Sequence, residues 1–200
     1  EGARFRSLGS LPSVDRPDRQ ELILSAVIRI IGREGLAGVS VRSVAREAGV
    51  AHGLVSYYFD DKKGLIEAAL RRVEAEDLEI LEPDASLTAE AQLSAVLRSN
   101  LQPEFLTTEY LALRLLLWAL ALADEEFGAI NATAQRRYRE RLAGLIEKAV
   151  PGLTRAEARR RAADIDIIQN GIWLTALLRI DRASLGRAVD LCEEIAFGPA

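Results

Sequence analysis

A glycine between two short amphipathic segments is the feature that most constrains how this chain can fold. Ser40 can cap a helix that runs to Ala48, and apolar side chains recur at helical spacing along it. Gly49 can then adopt the positive φ that a sharp turn between helices requires. The pattern predicts a second short helix from about Ala51 to Tyr58. Two short helices joined by a glycine turn are typical of a helix-turn-helix unit.

Helical patterns also cover the rest of the chain, and we find no strand pattern or internal repeat. A first helix is predicted from about Pro17 to Gly35, and a fourth from a cap at Asp60 or Asp61 to about Leu81. Five longer helices are predicted near 87–100, 108–123, 125–149, 155–179 and 184–197. The sequence therefore predicts an all-α fold in which a three-helix N-terminal unit precedes a larger helical domain.

Charge and composition exclude several classes of protein. The net charge of −4 argues against a protein that coats nucleic acid indiscriminately, yet residues 1–63 carry 10 basic against 8 acidic side chains. The apolar run Leu111–Ala123 is too short to span a bilayer and contains Arg114. Cys192 is the only cysteine, so we expect a reducing, cytoplasmic location. The sequence has no metal-ligand cluster, Cys/His pair, nucleophile elbow or phosphate loop, so we expect no cofactor, no metal site and no enzymatic activity.

The segment from Ser40 to Leu65 resembles the DNA-binding segment of the TetR family of transcriptional regulators. The family's spacing is matched by Ala48, Gly49, Val50, Gly53, Tyr58, Phe59, Lys62 and Leu65. The likeness is greatest to the choline-responsive repressor branch that controls betaine synthesis, through Gly53, Ser56, Tyr58, Phe59, Asp61, Lys62, Gly64 and Leu65. It continues more weakly through Trp118 and residues 170–174.

This resemblance implies a regulator whose chain is divided into three parts. Residues 1–15 would form a flexible arm, residues 16–62 a helix-turn-helix domain that binds DNA, and residues 63–200 a domain that binds a ligand and forms a dimer. The implied partners are double-stranded operator DNA, a second copy of the chain and a small-molecule effector, with no membrane. The implied function is a repressor that its effector releases from a palindromic operator. A constitutive or architectural DNA-binding protein without a small ligand is the alternative.

The geometry of a helix in the major groove selects the candidate DNA contacts. The residues that would face base edges are Ala51, His52, Leu54, Val55 and Ser56. His52 and Ser56 lie four residues apart, hence on one face, and both side chains can donate or accept hydrogen bonds. The candidates for contact with the DNA backbone are Ser40, Arg42, Gly53, Tyr57 and Lys62. Contacts of this second kind position a protein on DNA but do not read its sequence.

Some positions in the motif have a structural alternative. One of Leu54 and Val55 is expected to pack inward, while the other touches a thymine methyl group. Gly53 permits a close approach either to the DNA backbone or to a neighbouring helix. Phe59 is expected in the core. For Arg46, a solvated helix surface is as compatible with the sequence as contact with DNA.

The sequence also departs from the wider family at two positions of the motif. Ser56 stands where a tyrosine is common, and Tyr57 stands where a histidine is common, so a phenol would replace an imidazole at a phosphate. His52, the only histidine, has no catalytic partner in sequence register, and DNA contact is its favoured role. In the arm, Arg4 and Arg6 could enter a minor groove, although a disordered tail is the favoured interpretation.

The C-terminal helices offer a surface for dimerisation. TetR-like chains pair through their last long helices, which here implies residues 125–149 and 155–179. Independently, residues 165–178 are apolar on more than one face, as in a helix that is deeply buried or pressed against a partner. Such a dimer would present two recognition helices to the two halves of a pseudo-palindrome.

A ligand pocket would be lined by polar or aromatic side chains embedded in apolar helices. The candidates are Tyr110, Trp118, Phe127, Asn170 and Trp173, with Asp166 and Gln169 nearby. The aromatic candidates are also ordinary core residues. If the effector were a choline-like cation, aromatic faces and one carboxylate would be the appropriate lining. A hydrophobic or a polyamine-like effector is equally compatible with these residues.

Overall fold

The computed structural model describes residues 16–82, 84, 86–178 and 181–199, and every regular element in these ranges is helical. The helices are α1 (Arg16–Glu34), α2 (Val41–Ala48), α3 (His52–Tyr58), α4 (Lys62–Glu79), α5 (Ala89–Ser99), α6 (Thr108–Ala123), α7 (Glu125–Ala149), α8 (Arg155–Leu177) and α9 (Arg182–Phe197). Short 3₁₀ helices, which the sequence patterns did not predict, occupy Leu36–Gly38 and Pro103–Leu106. The predicted all-α fold is confirmed. The flexible arm predicted at residues 1–15 lies outside the described residues.

Side-chain caps determine where several helices begin. Ser40 Oγ accepts a hydrogen bond from the backbone N–H of Ser43, and Ser43 Oγ accepts one from the backbone N–H of Ser40. Of the two aspartates predicted to cap α4, Asp61 does so, accepting from the N–H of Gly64 at 2.8 Å. Thr154 caps α8 in the same way. Because the first turn of a helix has no internal partners for its N–H groups, such caps make helix starts readable from sequence.

The three N-terminal helices and the first half of α4 pack around one apolar core. α1 packs against both α2 and α4, and α2 packs against α3. The fully buried side chains at the centre of this N-terminal core include Ile23, Val27, Ile31, Val44, Val55, Leu65 and Ala69. At its far edge, Leu70, Val73 and Leu117 also line a cavity together with Asp77 and Arg114. α3 packs on this apolar core through Val55.

The larger C-terminal part is arranged around α7, which packs against α4, α5, α6, α8 and α9. One apolar cluster lies between α5, α7, α8 and α9, and a second joins α6, α8 and α9. α8 ends at Leu177, and residue 179, where the sequence predicted its end, lies outside the described residues. Within the described ranges, we find no helix with the length and apolar character needed to cross a membrane.

α6 belongs to both parts of the molecule. Leu113 and Leu117 enter the N-terminal core, whereas Leu111 joins the cluster with α8 and α9. On α7, Phe127 and Ile130 also pack into the N-terminal core. That core thus extends beyond residue 62, the end predicted for the DNA-binding domain, into α4, α6 and α7. A displacement of any of these helices would therefore change the packing under the helix-turn-helix.

Candidate DNA-binding surface and effector cavity

The turn between α2 and α3 has the geometry that the sequence predicts. Gly49 has a φ of +67°, in the left-handed region that favours glycine. Its N–H donates to the carbonyl oxygens of Ala45 and Arg46, and the N–H of Val50 donates to Ala45 O at 3.0 Å. These bonds close the end of α2 and set the direction in which α3 leaves.

α3 exposes one face and buries the other. The exposed residues at and after its start are Ala51, His52, Gly53, Ser56 and Tyr57. Val55 is fully buried, whereas Leu54 is half-buried at the edge of the N-terminal core, so Val55 is the member of this pair that packs inward. Phe59 is 7% exposed, which confirms its expected place in the core. The face left open is the one that carries His52 and Ser56.

Gly53 stands at a position where no neighbouring helix requires a glycine. A Cβ atom built there would meet no described atom within 4 Å. Of the two reasons the sequence offered for this glycine, close packing against a neighbouring helix is therefore not supported. The other reason, a close approach by the DNA backbone, stays a prediction.

The side chains predicted to contact phosphates lie around α3. Arg42, in the first turn of α2, and Lys62, at the start of α4, are both exposed. The Ser40 hydroxyl is already engaged in the cap of α2. Tyr57 is 63% exposed, and its ring meets that of Tyr58 edge to face at 5.2 Å. The arrangement places two exposed cations on the helices next to the recognition helix.

A second candidate site is a narrow polar cavity between α4, α6, α7 and α8, with a free interior volume of about 20 Å³. It adjoins a second cavity of about 30 Å³, and the walls of both contain Glu74, Asp77, Arg114, Ala134 and Gln135. The further lining residues of the first cavity are Leu78, Tyr138, Asp166, Gln169, Asn170 and Trp173. Charged side chains are rarely buried unless they are paired. The pairing within this wall therefore decides what the cavity can bind.

Arg114 is the central charge of the wall. Its guanidinium donates to both oxygens of the Asp77 carboxylate at 2.7 and 2.8 Å, and it lies 3.7 Å from the ring centroid of Trp173. It also donates to Tyr110 Oη at 3.0 Å. Burial alone would lower the pKa of Arg114, but the pairing with Asp77 raises it above its ordinary value. Arg114 is thus a fixed cation that covers one face of Trp173 and neutralises Asp77.

Polar groups on α7 and α8 form a second network beside this ion pair. Tyr138 Oη donates to Gln169 Oε1 at 2.7 Å. Arg139 pairs with Asp166 at 2.6 Å, and Asn170 Nδ2 donates to Asp166 Oδ1 at 3.3 Å. Burial raises the pKa of Asp166, and the hydrogen bond from Arg139 opposes that rise. The second carboxylate of the wall is therefore also neutralised by an arginine.

Several polar atoms of the wall lack a hydrogen-bond partner. They are Glu74 Oε1, Arg114 Nε, Gln135 Oε1, Gln169 Nε2 and Trp173 Nε1. These are five of the six buried side-chain N or O atoms without a partner in the described part of the chain, so the deficit is concentrated at one place. Leaving such an atom unpaired costs about 1–3 kcal/mol. An occupant that pairs with these atoms would stabilise the folded protein.

Glu74 differs from the other two carboxylates of the wall because it forms no ion pair with a described residue. Burial raises its pKa from 4.5 to about 7; Arg71 and Arg137 oppose this rise, and Asp77 adds to it. Asp77 and Asp166 are each balanced by an arginine. When Glu74 is ionised, Arg71 and Arg137 offset its negative charge only in part, because neither forms a salt bridge with it.

The structure brings together most of the residues predicted to line a pocket. Trp118, Asn170 and Trp173 line the two adjoining cavities, and Tyr110 joins the central ion pair through its hydroxyl. Phe127 lines neither of these cavities. It is 3% exposed and packs into the N-terminal core, so its ring joins α7 to that core.

The charged half of the wall was not predicted from the sequence. Glu74, Asp77 and Gln135 resemble ordinary polar positions of amphipathic helices. Arg114 does carry a signal, because it is the one charge inside the apolar run at 111–123 and a buried charge needs a partner. The sequence does not say where that partner lies. Only the packing of α4 and α6 against α7 places Asp77 beside it.

The described surface exposes apolar side chains on α8 and α9. Ile167, Leu174 and Leu178 follow one side of α8 and are 66%, 44% and 65% exposed, while Leu191 on α9 is 45% exposed. α7 exposes no large apolar side chain in the described structure. Contiguous exposed apolar side chains mark interaction surfaces. The exposed apolar side chains make α8 and α9 a candidate dimer surface, and pairing through residues 125–149 and 155–179 stays a prediction.

Family models match both parts of the chain. Residues 23–69 match the model of bacterial regulatory proteins of the tetR family. Residues 89–196 match the C-terminal model of BetI-type transcriptional repressors. The chain belongs to the TetR family. The expected family is thereby confirmed, and this TetR-family chain is a transcriptional regulator of the BetI-type repressor group and not an enzyme.

Individual relatives agree with this assignment. A protein of Paraburkholderia phytofirmans named HTH-type transcriptional regulator BetI is 31% identical over 167 residues, which cover 82% of this chain and 84% of that protein. The structure of a putative transcriptional regulator from Pseudomonas aeruginosa PAO1 matches with a TM-score of 0.73 at 24% identity, over 92% of this chain and 90% of that one. A putative transcriptional regulator from Saccharomonospora viridis in complex with choline matches with a TM-score of 0.71 at 19% identity, over 90% and 95%. These two structures show a shared fold.

Proposed function

We propose that this TetR-family chain is a cytoplasmic repressor that binds a palindromic operator as a dimer and leaves it when a small cation occupies the polar cavity. The main support is the cavity wall, where five buried polar atoms lack a hydrogen-bond partner and the Glu74 carboxylate forms no salt bridge. A ligand that binds only the folded state stabilises it. A cavity with such atoms is suited to an effector and poorly suited to permanent packing.

The DNA-binding half of the proposal is supported by the exposed face of α3. His52 and Ser56 share that face and can exchange hydrogen bonds with base edges. Arg42 and Lys62 are exposed on the adjoining helices, where cations can contact phosphates. Base contacts would provide sequence preference, and phosphate contacts would provide most of the affinity.

The effector half is supported by the two helices that the cavity and the N-terminal core have in common. On α4, Val73 lies in the N-terminal core and Asp77 in the cavity wall. On α6, Leu113 and Leu117 lie in that core and flank Arg114 in the wall. A shift of either helix on binding is therefore transmitted to the helix-turn-helix. Because coupling is reciprocal, operator DNA must weaken effector binding by the same factor.

Lys62→Ala and His52→Ala test the DNA-binding surface. We expect Lys62→Ala to weaken binding to DNA from upstream of the gene irrespective of sequence and to reduce the salt slope by about 1. His52→Ala should reduce discrimination between operator variants by about 1–3 kcal/mol. The matched control is Lys148→Ala, which removes an exposed cation near the end of α7. Fluorescence anisotropy at several salt concentrations measures both effects, and equal behaviour of all three variants would refute the assigned surface.

Ile167→Asp tests the proposed dimer. A buried carboxylate at a two-fold apolar interface is strongly unfavourable, so we expect monomers by size-exclusion chromatography with light scattering. Leu122→Asp is the control, because Leu122 is 92% exposed on α6 and lies apart from the α8 and α9 surface. If Ile167→Asp remained a dimer, another surface would have to form the interface.

A constitutive DNA-binding protein is the competing function. It predicts that no small cation raises the Tm of the protein or displaces it from its operator. The unpartnered atoms of the cavity favour the effector-gated function.

A further inference from the structure

The unpartnered atoms of the cavity specify their occupant more narrowly than a positive charge does. Two acceptors, Glu74 Oε1 and Gln135 Oε1, line the same cavity as three donors, Arg114 Nε, Gln169 Nε2 and Trp173 Nε1. Gln169 is 1% exposed and Trp173 is 7% exposed, so both groups lie away from the protein surface. An occupant that satisfies this wall must bring both hydrogen-bond donors and an acceptor.

The two acceptors distinguish between kinds of organic cation. A quaternary ammonium group can neutralise Glu74 but has no N–H, so it would leave Glu74 Oε1 and Gln135 Oε1 without donors. Each unsatisfied buried acceptor lowers affinity by about tenfold. A primary ammonium group carries three N–H donors and can pair with both oxygens while it neutralises the carboxylate.

The aromatic side chains of the wall lead to the same distinction. Quaternary ammonium groups are recognised by ring faces arranged around them. Here Trp173 is stacked with the Arg114 guanidinium at 3.7 Å, and Tyr138 donates its hydroxyl to Gln169. Within the first cavity this leaves the Tyr138 ring, since a hydroxyl hydrogen bond does not cover a ring face and Trp118 lines only the adjoining cavity. One ring does not form a cage, so hydrogen bonds must supply the selectivity.

We propose that the cavity binds a small primary or secondary ammonium compound that also carries a hydroxyl or carbonyl oxygen. Its N–H groups pair with Glu74 and Gln135, and its oxygen accepts from Gln169 and Trp173. Arg114 keeps Asp77 neutralised, which leaves Glu74 as the carboxylate for the ammonium group. This chemistry rests on the effector-gated function proposed above, and it names the class of the effector.

A methylation series on the unmodified chain tests the inference directly. Ethanolamine, its N-methyl and N,N-dimethyl derivatives, and choline all have a hydroxyl and a cationic nitrogen, while their N–H donors fall from three to none. We expect isothermal titration calorimetry to show weaker binding at each step, with choline at least about tenfold weaker than ethanolamine. n-Propylamine keeps the ammonium group but lacks the oxygen, and we expect it to bind about tenfold more weakly than ethanolamine.

Two variants assign the donors and acceptors to residues. Glu74→Gln should weaken ethanolamine binding by about tenfold or more, because it removes the charge that faces the ammonium group. Glu79→Gln is the matched control, since it makes the same change at an exposed position of α4 and should leave the Kd unchanged. Gln169→Leu should reduce the preference for ethanolamine over n-propylamine, because it removes one of the two donors to the ligand oxygen and leaves Trp173 Nε1.

The outcomes distinguish the ligand class from the effector-gated function. If choline bound as tightly as ethanolamine, the donor-based selectivity would be wrong and the effector-gated function would stand. If no amine bound while operator binding was intact, both the ligand class and the effector gating would be overturned. Equal losses from Glu74→Gln and Glu79→Gln would show that general charge, and not the cavity carboxylate, attracts the amine. The operator tests with Lys62→Ala and His52→Ala report on the DNA-binding surface alone.

Discussion

Along α4, Leu65 belongs to the apolar N-terminal core, whereas Glu74 and Asp77 line a cavity with arginine, amide and indole groups. The N-terminal core is built from apolar side chains, and the neighbouring cavity contains five of the six buried polar atoms without a hydrogen-bond partner in the described structure. Close apolar packing holds one arrangement and leaves no room for an occupant. A cavity lined by unpaired polar atoms favours an occupant, because a ligand that forms hydrogen bonds with those atoms lowers their free energy. The N-terminal core is thus suited to keeping one shape on DNA, and the cavity is suited to changing when a ligand binds.

The largest expected effect comes from breaking the central ion pair of the cavity. Arg114→Met leaves the Asp77 carboxylate buried and unpaired, which should lower the free energy of unfolding by about 3–5 kcal/mol. Urea denaturation measures this loss. The control is Arg160→Met, since the Arg160 side chain is 64% exposed and its ion pairs should contribute about 0–1 kcal/mol. Equal losses in the two variants would mean that the cavity pair is as solvated as a surface pair.

Arg114→Met combined with Asp77→Leu sharpens the same test. The double variant replaces the ion pair with apolar side chains and removes the unpaired charge. We expect it to recover much of the lost stability, because apolar replacements of buried ion pairs are often neutral or stabilising. A double variant as unstable as Arg114→Met would contradict this explanation of the loss.

Leu65→Ala probes the apolar side of the comparison. Leu65 is fully buried in the N-terminal core, so truncation should lower the free energy of unfolding by about 2–5 kcal/mol through lost burial and a residual cavity. Leu122→Ala, at a position 92% exposed, should stay within about 0.5 kcal/mol of the wild type. Urea denaturation of both variants is the measurement. A small loss at Leu65 would show that the N-terminal core under the recognition helix is loosely packed.

Glu74→Gln should give a smaller effect that depends on pH. Burial raises the pKa of Glu74 from 4.5 to about 7, so the folded state favours the protonated acid and loses stability as the pH rises through that interval. The amide cannot ionise, and the variant should therefore be more stable than the wild type at pH 8 and equally stable at pH 4. Because Glu74 is only half-buried, solvent screens much of the effect, and we expect a Tm gain of about 2–4 °C at pH 8.

The control for the pH experiment is Glu79→Gln, which should show no gain at pH 8. The charged groups that face Glu74 are Arg71, Asp77 and Arg137. Neither substitution removes any of these three groups, so the comparison isolates the ionisation of Glu74. A gain that appeared equally at pH 4 and pH 8 would point to packing and not to ionisation.

The smallest expected effects come from removing helix caps, which should lower the free energy of unfolding by similar amounts in the two regions. Ser40→Ala removes the cap of α2 in the N-terminal part, and Thr154→Ala removes the cap of α8 in the C-terminal part. Each should cost about 1 kcal/mol, because each leaves a backbone N–H without its side-chain acceptor. Ser56→Ala, at an exposed position that caps no helix, is the control for both. A large difference between the two cap variants would show that cap strength depends on the surrounding core.

Local interactions explain why so much of the fold could be predicted from the sequence. Ser40, Asp61 and Thr154 act within one turn of themselves, and Gly49 needs only its own backbone to make the turn. These positions were predicted with nearly the helix limits that the structure shows. The 3₁₀ helices were missed because three or four residues are too few to show periodicity.

The cavity was predicted only in part because its pairs join residues that are distant in sequence. Trp173 stood out as an aromatic residue embedded in an apolar helix, and it does line the cavity. Phe127 stood out for the same reason but packs in a core, since the same pattern describes both environments. The pairing of Asp77 with Arg114 depends on how α4 and α6 pack against α7, and no local pattern contains that information.

The position of α6 limits how regulators of this architecture can exchange parts. Neighbouring residues of this helix have different environments, since Leu113 packs in the N-terminal core, Arg114 and Trp118 line the cavities, and Leu117 does both. A chimaera joined at residue 62 would give the DNA-binding unit a foreign α4 and α6, and its core would lose matched partners. Recombination between relatives is therefore expected to succeed when the residues that the incoming α4 and α6 contribute to the N-terminal core match in volume those that they replace. New effector specificities should arise more readily by substitution around Glu74 than by shuffling whole domains.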